Sequence, residues 1–205
     1  MIAVIDYGMG NLRSVQKAFE LIGAGTKVTS RPSDLARCGG IVFPGVGAFG
    51  DAMKELKRRG LERPIREAIA SGKPFLGLCL GMQLLFERSD EAPGVKGLSV
   101  FSGEVKRFAF PKGGYKVPHM GWNSIEPVSS RGAHILKGVP DGSYMYFVHS
   151  YYVKPKDKKS VLTMTGYGID FASGIRRDNV YGFQFHPEKS QGLGLKILKN
   201  FVGLI

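Results

Sequence analysis

The chain has 205 residues, of which 43% are hydrophobic and 29 are glycine, a composition that suits one compact α/β domain spanning residues 1–205. The apolar N-terminal run MIAVI meets Asp6 without a basic leader, and no stretch approaches membrane-spanning length, so we expect a first strand rather than a signal peptide and no membrane partner. The two cysteines, Cys38 and Cys79, lack the spacing of a disulfide framework or a metal site, which predicts no bound metal and a reducing, cytoplasmic location.

The net charge of +12 comes from basic residues that are spread along the chain. They show no arginine-rich arm and no RNA-binding signature, so solvated surface is the ordinary explanation and we expect no nucleic-acid partner. A basic face could also attract an acidic partner or phosphorylated metabolites, and the sequence does not choose between these.

Strand-like and helix-like segments alternate through the first half of the chain. The predicted strands are Ile2–Asp6, Lys27–Ser30, Gly40–Phe43 and Phe75–Leu78, and the predicted helices are Asn11–Ile22 and Asp51–Ser71. In the first helix, Leu12, Val15, Phe19 and Ile22 form a core-facing stripe. Such alternation predicts right-handed crossovers and a parallel sheet with reactive groups at the carboxyl ends of its strands.

Cys79 lies between Gly77 and Gly81, directly after the apolar run Pro74-Phe75-Leu76. This is the pattern of a nucleophile elbow, in which small neighbours permit a strained backbone that pushes the nucleophile out above the sheet. A helix predicted from Leu80 to about Glu87 would point its N-terminal N–H groups at the sulfur and favour the thiolate. The alternative is that Cys79 is simply a small buried hydrophobic residue.

From Phe101 onward the pattern changes to strands and turns, and it ends in a helix predicted over about Gly194–Val202. The predicted strands there include Tyr144–Val148, Val161–Gly166 and Gly174–Arg177. We therefore expect an α/β fold with a flavodoxin-like, open, mostly parallel twisted sheet flanked by helices, and an antiparallel portion appended in the C-terminal half.

His186-Pro187-Glu188 follows the alternating segment 180–185, which reads as a strand ending at the histidine. Two residues apart in extended chain, Glu188 can hold one imidazole nitrogen while the other faces Cys79. Alone, such a tripeptide is mostly a turn. Together with the cysteine elbow it favours a Cys79-His186-Glu188 triad.

The elbow, the His-Pro-Glu and the segment Pro44-Gly45-Val46-Gly47 resemble the class I, triad-type glutamine amidotransferases along the whole chain. Within that superfamily, the segments 6–12, 119–123 and 146–151 resemble the glutaminase subunits of imidazole glycerol phosphate synthases. The resemblance implies hydrolysis of L-glutamine without a cofactor and transfer of ammonia to a (β/α)₈-barrel cyclase subunit in a heterodimer of histidine biosynthesis.

Roles for further residues come partly from chemistry and partly from this resemblance. The N–H groups of Leu80 and, by resemblance, Val46 would stabilise an oxyanion; the alternative for the Pro44–Gly47 segment is a plain strand-to-helix turn. The resemblance places the glutamine backbone near Gly47, Gln83, Glu91, Ser150 and Tyr151, although Glu91 alone would read as loop surface. It assigns the cyclase contact to Asn11, Met120, Trp122, Tyr146 and Lys189, whereas a single tryptophan is most often core.

Three other histidines attract less attention. His149 lies inside an apolar strand and is expected to be structural, and His119 and His134 have no carboxylate two or three residues away. Other functions also stay open: a glutaminase subunit of another pathway such as anthranilate synthesis, a non-catalytic binding module, or a peptide-directed cysteine hydrolase.

Overall fold

The computed structural model describes residues 1–111, 114–128 and 134–205. Its first half alternates strands and helices as the sequence predicts: β1 Ile2–Ile5, α1 Leu12–Leu21, β2 Thr26–Thr29, α2 Pro32–Arg37, β3 Gly40–Gly45, α3 Phe49–Arg58, α4 Glu62–Ala70, β4 Phe75–Cys79 and α5 Leu80–Gln83. The second half contains β5 Arg88–Ser89, β6 Gly103–Arg107, β7 His119–Pro127, β8 Ser143–His149, β9 Tyr151–Pro155, β10 Val161–Gly166, β11 Asp170–Arg177, β12 Val180–Phe183 and α6 Gln191–Val202. Short 3₁₀ turns occupy Lys158–Ser160 and Pro187–Lys189.

Five strands form a parallel sheet in the order β2-β1-β3-β4-β12. This is the flavodoxin-like order, with β12 from the C-terminal half as the fifth parallel strand beside β4. The antiparallel strands β11, β10, β7 and β8 continue the sheet from β12, and β9, β6 and β5 branch from β11. The predicted fold class is confirmed.

Alternate residues of the parallel strands face two hydrophobic cores, because successive side chains of a strand point to opposite faces. Ala3, Ile5, Ile41 and Phe43 pack with the apolar sides of α2, α3 and α4. Ile2, Val4 and Val42 pack on the other face with α1 and α6. The predicted stripe of α1 is confirmed on this second face, where Val15 and Phe19 are buried and Leu12 and Ile22 pack against the core.

Several predicted boundaries are wrong. β11 begins at Asp170 instead of Gly174, and α6 begins at Gln191 instead of about Gly194. The single helix predicted over Asp51–Ser71 is two helices, because Gly60 adopts a φ of +64° that ends the right-handed helical path. The helix after Cys79 ends at Gln83 instead of about Glu87, after which the chain turns back so that Leu85 and Phe86 become buried. The last strand ends at Phe183 and not at His186.

Within the described residues, none of the helices is long and apolar enough to cross a membrane.

Candidate active site

Cys79 ends β4 and precedes the first turn of α5, in a left-handed backbone conformation with φ 53° and ψ −111°. Few residues other than glycine adopt a positive φ, so the residues around Cys79 must stabilise this strained conformation. The two flanking glycines are needed for packing: a Cβ at Gly81 would overlap the carbonyl of Phe43, and one at Gly77 would lie 3.0 Å from the backbone of Gly81 and Met82. The predicted elbow is confirmed as a backbone feature.

His186 and Glu188 are held together beside this turn. The imidazole Nδ1 lies 2.8 Å from Glu188 Oε1, and both side chains are almost completely buried. The other ring nitrogen, Nε2, is buried and has no oxygen or nitrogen partner among the described residues. Burial lowers the pKa of His186, but the polar interactions with Cys79 and Glu188 outweigh it and raise the pKa to about 10. The arrangement therefore favours an imidazolium next to the sulfur.

A pocket of about 380 Å³ opens above the sulfur. It brings together residues from distant parts of the chain, because the carboxyl ends of parallel strands meet at one edge of the sheet. Its lining includes every predicted glutamine contact and both predicted oxyanion residues, namely Val46, Gly47, Leu80, Gln83, Glu91, Ser150 and Tyr151, together with Cys79 and His186.

Glu91 lies at the N-terminus of α3, where its Oε2 accepts a 2.8 Å hydrogen bond from the Phe49 N–H. A carboxylate at this position interacts favourably with the dipole of α3. Glu91 lies in a turn, as the sequence alone would indicate, but it is half-buried and lines the pocket instead of facing only solvent.

Val46 and Gly47 form an exposed corner between β3 and α3. Gly47 has a φ of +99°, and a Cβ there would lie 2.6 Å from Met9 Cε of the β1–α1 loop. The segment that carries Asn11 thus packs directly against the segment that carries Val46.

Gln184 is a buried residue beside Cys79 that sequence reasoning missed. It is fully buried, and its amide Nε2 lies 3.7 Å from Cys79 Sγ. Its Oε1 lies 3.1 Å from Gln83 Nε2, which also donates to the Tyr151 carbonyl at 3.0 Å. The available signal was a polar residue inside the otherwise apolar run Phe183-Gln184-Phe185.

Comparison with known proteins decides the family. The family Glutamine amidotransferase class-I matches residues 3–204. The chain belongs to the class-I glutamine amidotransferases. Among curated relatives, it is 50% identical to the imidazole glycerol phosphate synthase subunit HisH of Rhodopirellula baltica, over 98% of this chain and 96% of that one. It is 51% identical to the subunit of the same name from Syntrophotalea carbinolica, over 98% of both.

Solved structures support the fold of this amidotransferase. A crystal structure of a glutamine amidotransferase covers the whole chain and 98% of its own with a TM-score of 0.77 at 19% identity. The structure of PurLQS from Thermotoga maritima covers 98% of this chain and 97% of its own with a TM-score of 0.75 at 18% identity.

Two histidines of the amidotransferase form a buried pair beside the pocket. His119 Nδ1 lies 2.9 Å from His149 Nε2, and His149 Nδ1 lies 2.8 Å from the Tyr151 carbonyl. Burial lowers the pKa of His119 to about 4, and burial opposed only by the Tyr151 hydrogen bond lowers that of His149 to about 3. Both rings are neutral at physiological pH. Sequence reasoning missed this pairing because the register of β7 on β8 places the two rings opposite each other.

The predicted interface residues of the β7–β8 ribbon form an exposed aromatic surface. Trp122 is directly opposite Tyr146, with their ring centroids 6.0 Å apart, and the Lys189 ammonium lies 5.9 Å from the Tyr146 ring. Met120 and Trp122 are 66% and 46% exposed. Asn11 is also exposed, at the start of α1, which lies against the 3₁₀ turn of Lys189. Trp122 is not a core residue.

Proposed function

We propose that residues 1–205 act as one cytoplasmic glutaminase domain that hydrolyses L-glutamine and supplies ammonia to the cyclase subunit of imidazole glycerol phosphate synthase. One observation carries the hydrolytic part: the strained Cys79 lies in the same pocket as His186, whose ring is held by Glu188 at 2.8 Å. The identity to subunits named HisH, about one half over the full chain, supports the pathway.

In the proposed reaction the Cys79 thiolate attacks the side-chain amide carbon of glutamine. The carbonyl oxygen becomes an oxyanion, which the N–H of Leu80 at the start of α5 and the N–H of Val46 are suited to bind. The His186 imidazolium then gives its proton to the amide nitrogen, the C–N bond breaks and ammonia leaves. A water molecule that returns a proton to His186 hydrolyses the thioester, which releases glutamate and restores Cys79. Glu188 keeps the imidazole oriented and stabilises its protonated form in each step.

The pocket also supplies partners for the glutamine backbone. The charged carboxylate of Glu91 suits the α-ammonium, while the backbone groups of Gly47, Ser150 and Tyr151 suit the α-carboxylate. Gln83 contributes to the wall of the pocket through its bonds to Tyr151 and Gln184. A site that binds the α-ammonium and the α-carboxylate of free glutamine disfavours a glutamine residue inside a peptide, which lacks both of these charges.

We further propose that the surface of Asn11, Met120, Trp122, Tyr146 and Lys189 binds a (β/α)₈-barrel cyclase in a heterodimer. Exposed aromatic and methionine side chains are typical of interface centres, and Lys189 directly follows Glu188. Binding here would cover the triad and let ammonia pass to the barrel away from water. There the cyclase, a lyase, would form imidazole glycerol phosphate and aminoimidazole carboxamide ribotide.

The test combines the purified chain with a cyclase subunit and measures glutamate release with and without the barrel's own ligand. We expect strong activation only with that partner. Activation instead by the synthase subunit for anthranilate would assign the chain to that pathway. Labelling with a glutamine-mimicking diazoketone and peptide mapping should place the modification on Cys79. An unlabelled protein would indicate a non-catalytic module, and release of amino acids from peptides would indicate a peptide hydrolase.

A further inference from the structure

The backbone of Gln184 is held by a hydrogen bond, and its side chain extends to the sulfur of Cys79. Its backbone N–H donates to the carbonyl of Ser173 at 2.9 Å, and its side chain is completely buried. The amide Nε2 lies 3.7 Å from Cys79 Sγ, within hydrogen-bonding range of sulfur. A buried amide is stable only when both its ends have partners, so the direction in which it points has chemical meaning.

The surrounding bonds decide which end of the amide faces the sulfur. The Tyr151 carbonyl can only accept, so the side-chain atom of Gln83 at 3.0 Å from it is the donating Nε2. That same nitrogen lies 3.1 Å from the Gln184 amide, which must therefore present its oxygen to Gln83. Only the –NH₂ group of Gln184 is left to point at Cys79.

A donor at the sulfur favours the thiolate, because the charged form accepts a stronger hydrogen bond than the neutral thiol. The carbonyl of Val148, 4.0 Å from Sγ, is instead an acceptor for the S–H of the thiol. The two groups thus favour opposite protonation states of one atom.

We propose that Gln184 donates a hydrogen bond to the Cys79 thiolate and thereby holds the nucleophile charged and oriented for attack. This rests on the proposed glutaminase function, since the thiolate is the form that attacks the amide. The other titratable groups near the sulfur are His186 and Glu188 of the turn, His149 of β8, Tyr7 after β1 and Glu91 of the pocket wall, and all of them are retained in the variants below.

The experiment measures the rate of Cys79 alkylation by iodoacetamide from pH 5 to pH 9 on the full chain, with peptide mapping to separate Cys79 from Cys38. Gln184→Met removes the donor at similar size, and Gln184→Glu replaces it with an acceptor. We expect the pH of half-maximal alkylation to rise by about one unit in Gln184→Met, equivalent to roughly tenfold slower alkylation at pH values well below both midpoints, and by more in Gln184→Glu. The turnover number for glutamine should fall more than KM changes.

Thr163→Val is the matched control, because it removes a buried hydroxyl that bonds to Ser173 Oγ at 2.9 Å and not to the sulfur. Its alkylation profile should equal that of the parent. Gln184→Asn, which withdraws the N–H groups by one methylene, provides the test if Gln184→Met does not fold, and it should shift the profile in the same direction. An unchanged profile in a folded Gln184 variant would overturn this inference alone, whereas a parent without glutaminase activity in the presence of its partner would overturn the proposed function.

Discussion

The backbone N–H of His186 donates to the carbonyl of Tyr146 at 2.9 Å, which joins the candidate base to the exposed aromatic surface. Ser190 completes this link, since its Oγ accepts from the Tyr146 N–H at 3.0 Å and donates to the His186 carbonyl at 2.7 Å. A partner that moves Tyr146 therefore acts on the turn that holds His186 and Glu188. These hydrogen bonds form a short path from the proposed interface to the candidate base.

We predict that Trp122→Ala and Lys189→Ala weaken activation by the cyclase and its ligand without damage to the triad. Our hypothesis is that the Val46 N–H points away from the pocket until the partner binds. The isolated chain should then be a poor glutaminase, because the loss of one oxyanion donor lowers the rate by about 10²–10³. Glutamate release with and without partner measures the activation. Lys158→Ala, an exposed lysine in the other 3₁₀ turn, should be activated like the parent. Full activity of the isolated chain, unchanged by partner and ligand, would contradict the hypothesis that partner binding turns the Val46 N–H toward the pocket.

Removal of the base should lower turnover more than alteration of its orienting group. The turnover number of His186→Ala should fall by a factor near the upper end of the roughly 10²–10⁴-fold typical of general acid–base catalysis, because no group remains to protonate the leaving ammonia. Glu188→Gln should lose less, since it keeps a hydrogen-bonding group but not the charge that favours imidazolium. The measurement is the turnover number of each variant when it is activated by the partner. Parental activity in His186→Ala would point to His149 as the base.

Cys79→Ala should abolish glutamine-dependent synthesis by the assembled complex and leave ammonia-dependent synthesis largely intact. The reason is that the proposed function places hydrolysis and cyclisation in separate subunits as separate reactions. Product formation is measured with glutamine and with ammonium salt as alternative nitrogen sources. A variant that folds, binds the cyclase and still hydrolyses glutamine at the parental rate would show that Cys79 is not the nucleophile.

The buried histidine pair should make the free energy of unfolding pH-dependent on the acid side. The pKa values of His119 and His149 fall from the ordinary 6.5 to about 4 and about 3 in the folded state. Below pH 6.5 the unfolded chain binds protons that the folded chain does not, so stability should fall as the pH decreases from 6.5 toward 3. Denaturant unfolding at several pH values measures this slope. His119→Gln should flatten it, while His134→Gln, a change at an exposed histidine, should leave it as in the parent.

Gly81→Ala should destabilise the fold by about 3 kcal/mol, the upper range for inserting a methyl group into a packed site. The new methyl would overlap the Phe43 carbonyl in β3, next to the elbow. Gly192→Ala in α6 is the matched control, because its methyl would meet no atom within 4 Å. Its effect should be a stabilisation of at most about 1 kcal/mol, from the better helix propensity of alanine. Denaturant unfolding of both variants gives the comparison, and equal stabilities would contradict the steric argument.

The sequence by itself determined the parts of this protein that depend on local pattern. Alternating apolar segments indicated the parallel sheet, and Gly77 to Gly81 marked the elbow, because a nucleophile at positive φ needs small neighbours on adjacent positions. His186 and Glu188 were recognisable for the same reason, since two residues in extended chain place both side chains on one side. The resemblance to the family added the pocket residues from Gly47 to Tyr151, which local pattern leaves as surface or strand.

Only the tertiary structure decided the relationships between residues far apart in the chain. Gln184 reaches Cys79 because β12 pairs with β4 in parallel register, and no spacing in the sequence encodes that neighbour. His119 meets His149 through the register of β7 on β8, and Glu91 reaches α3 through the fold of the intervening chain. Such contacts arise from the packing of whole elements. They can therefore be identified only from a structure that shows which strands pair and in which register.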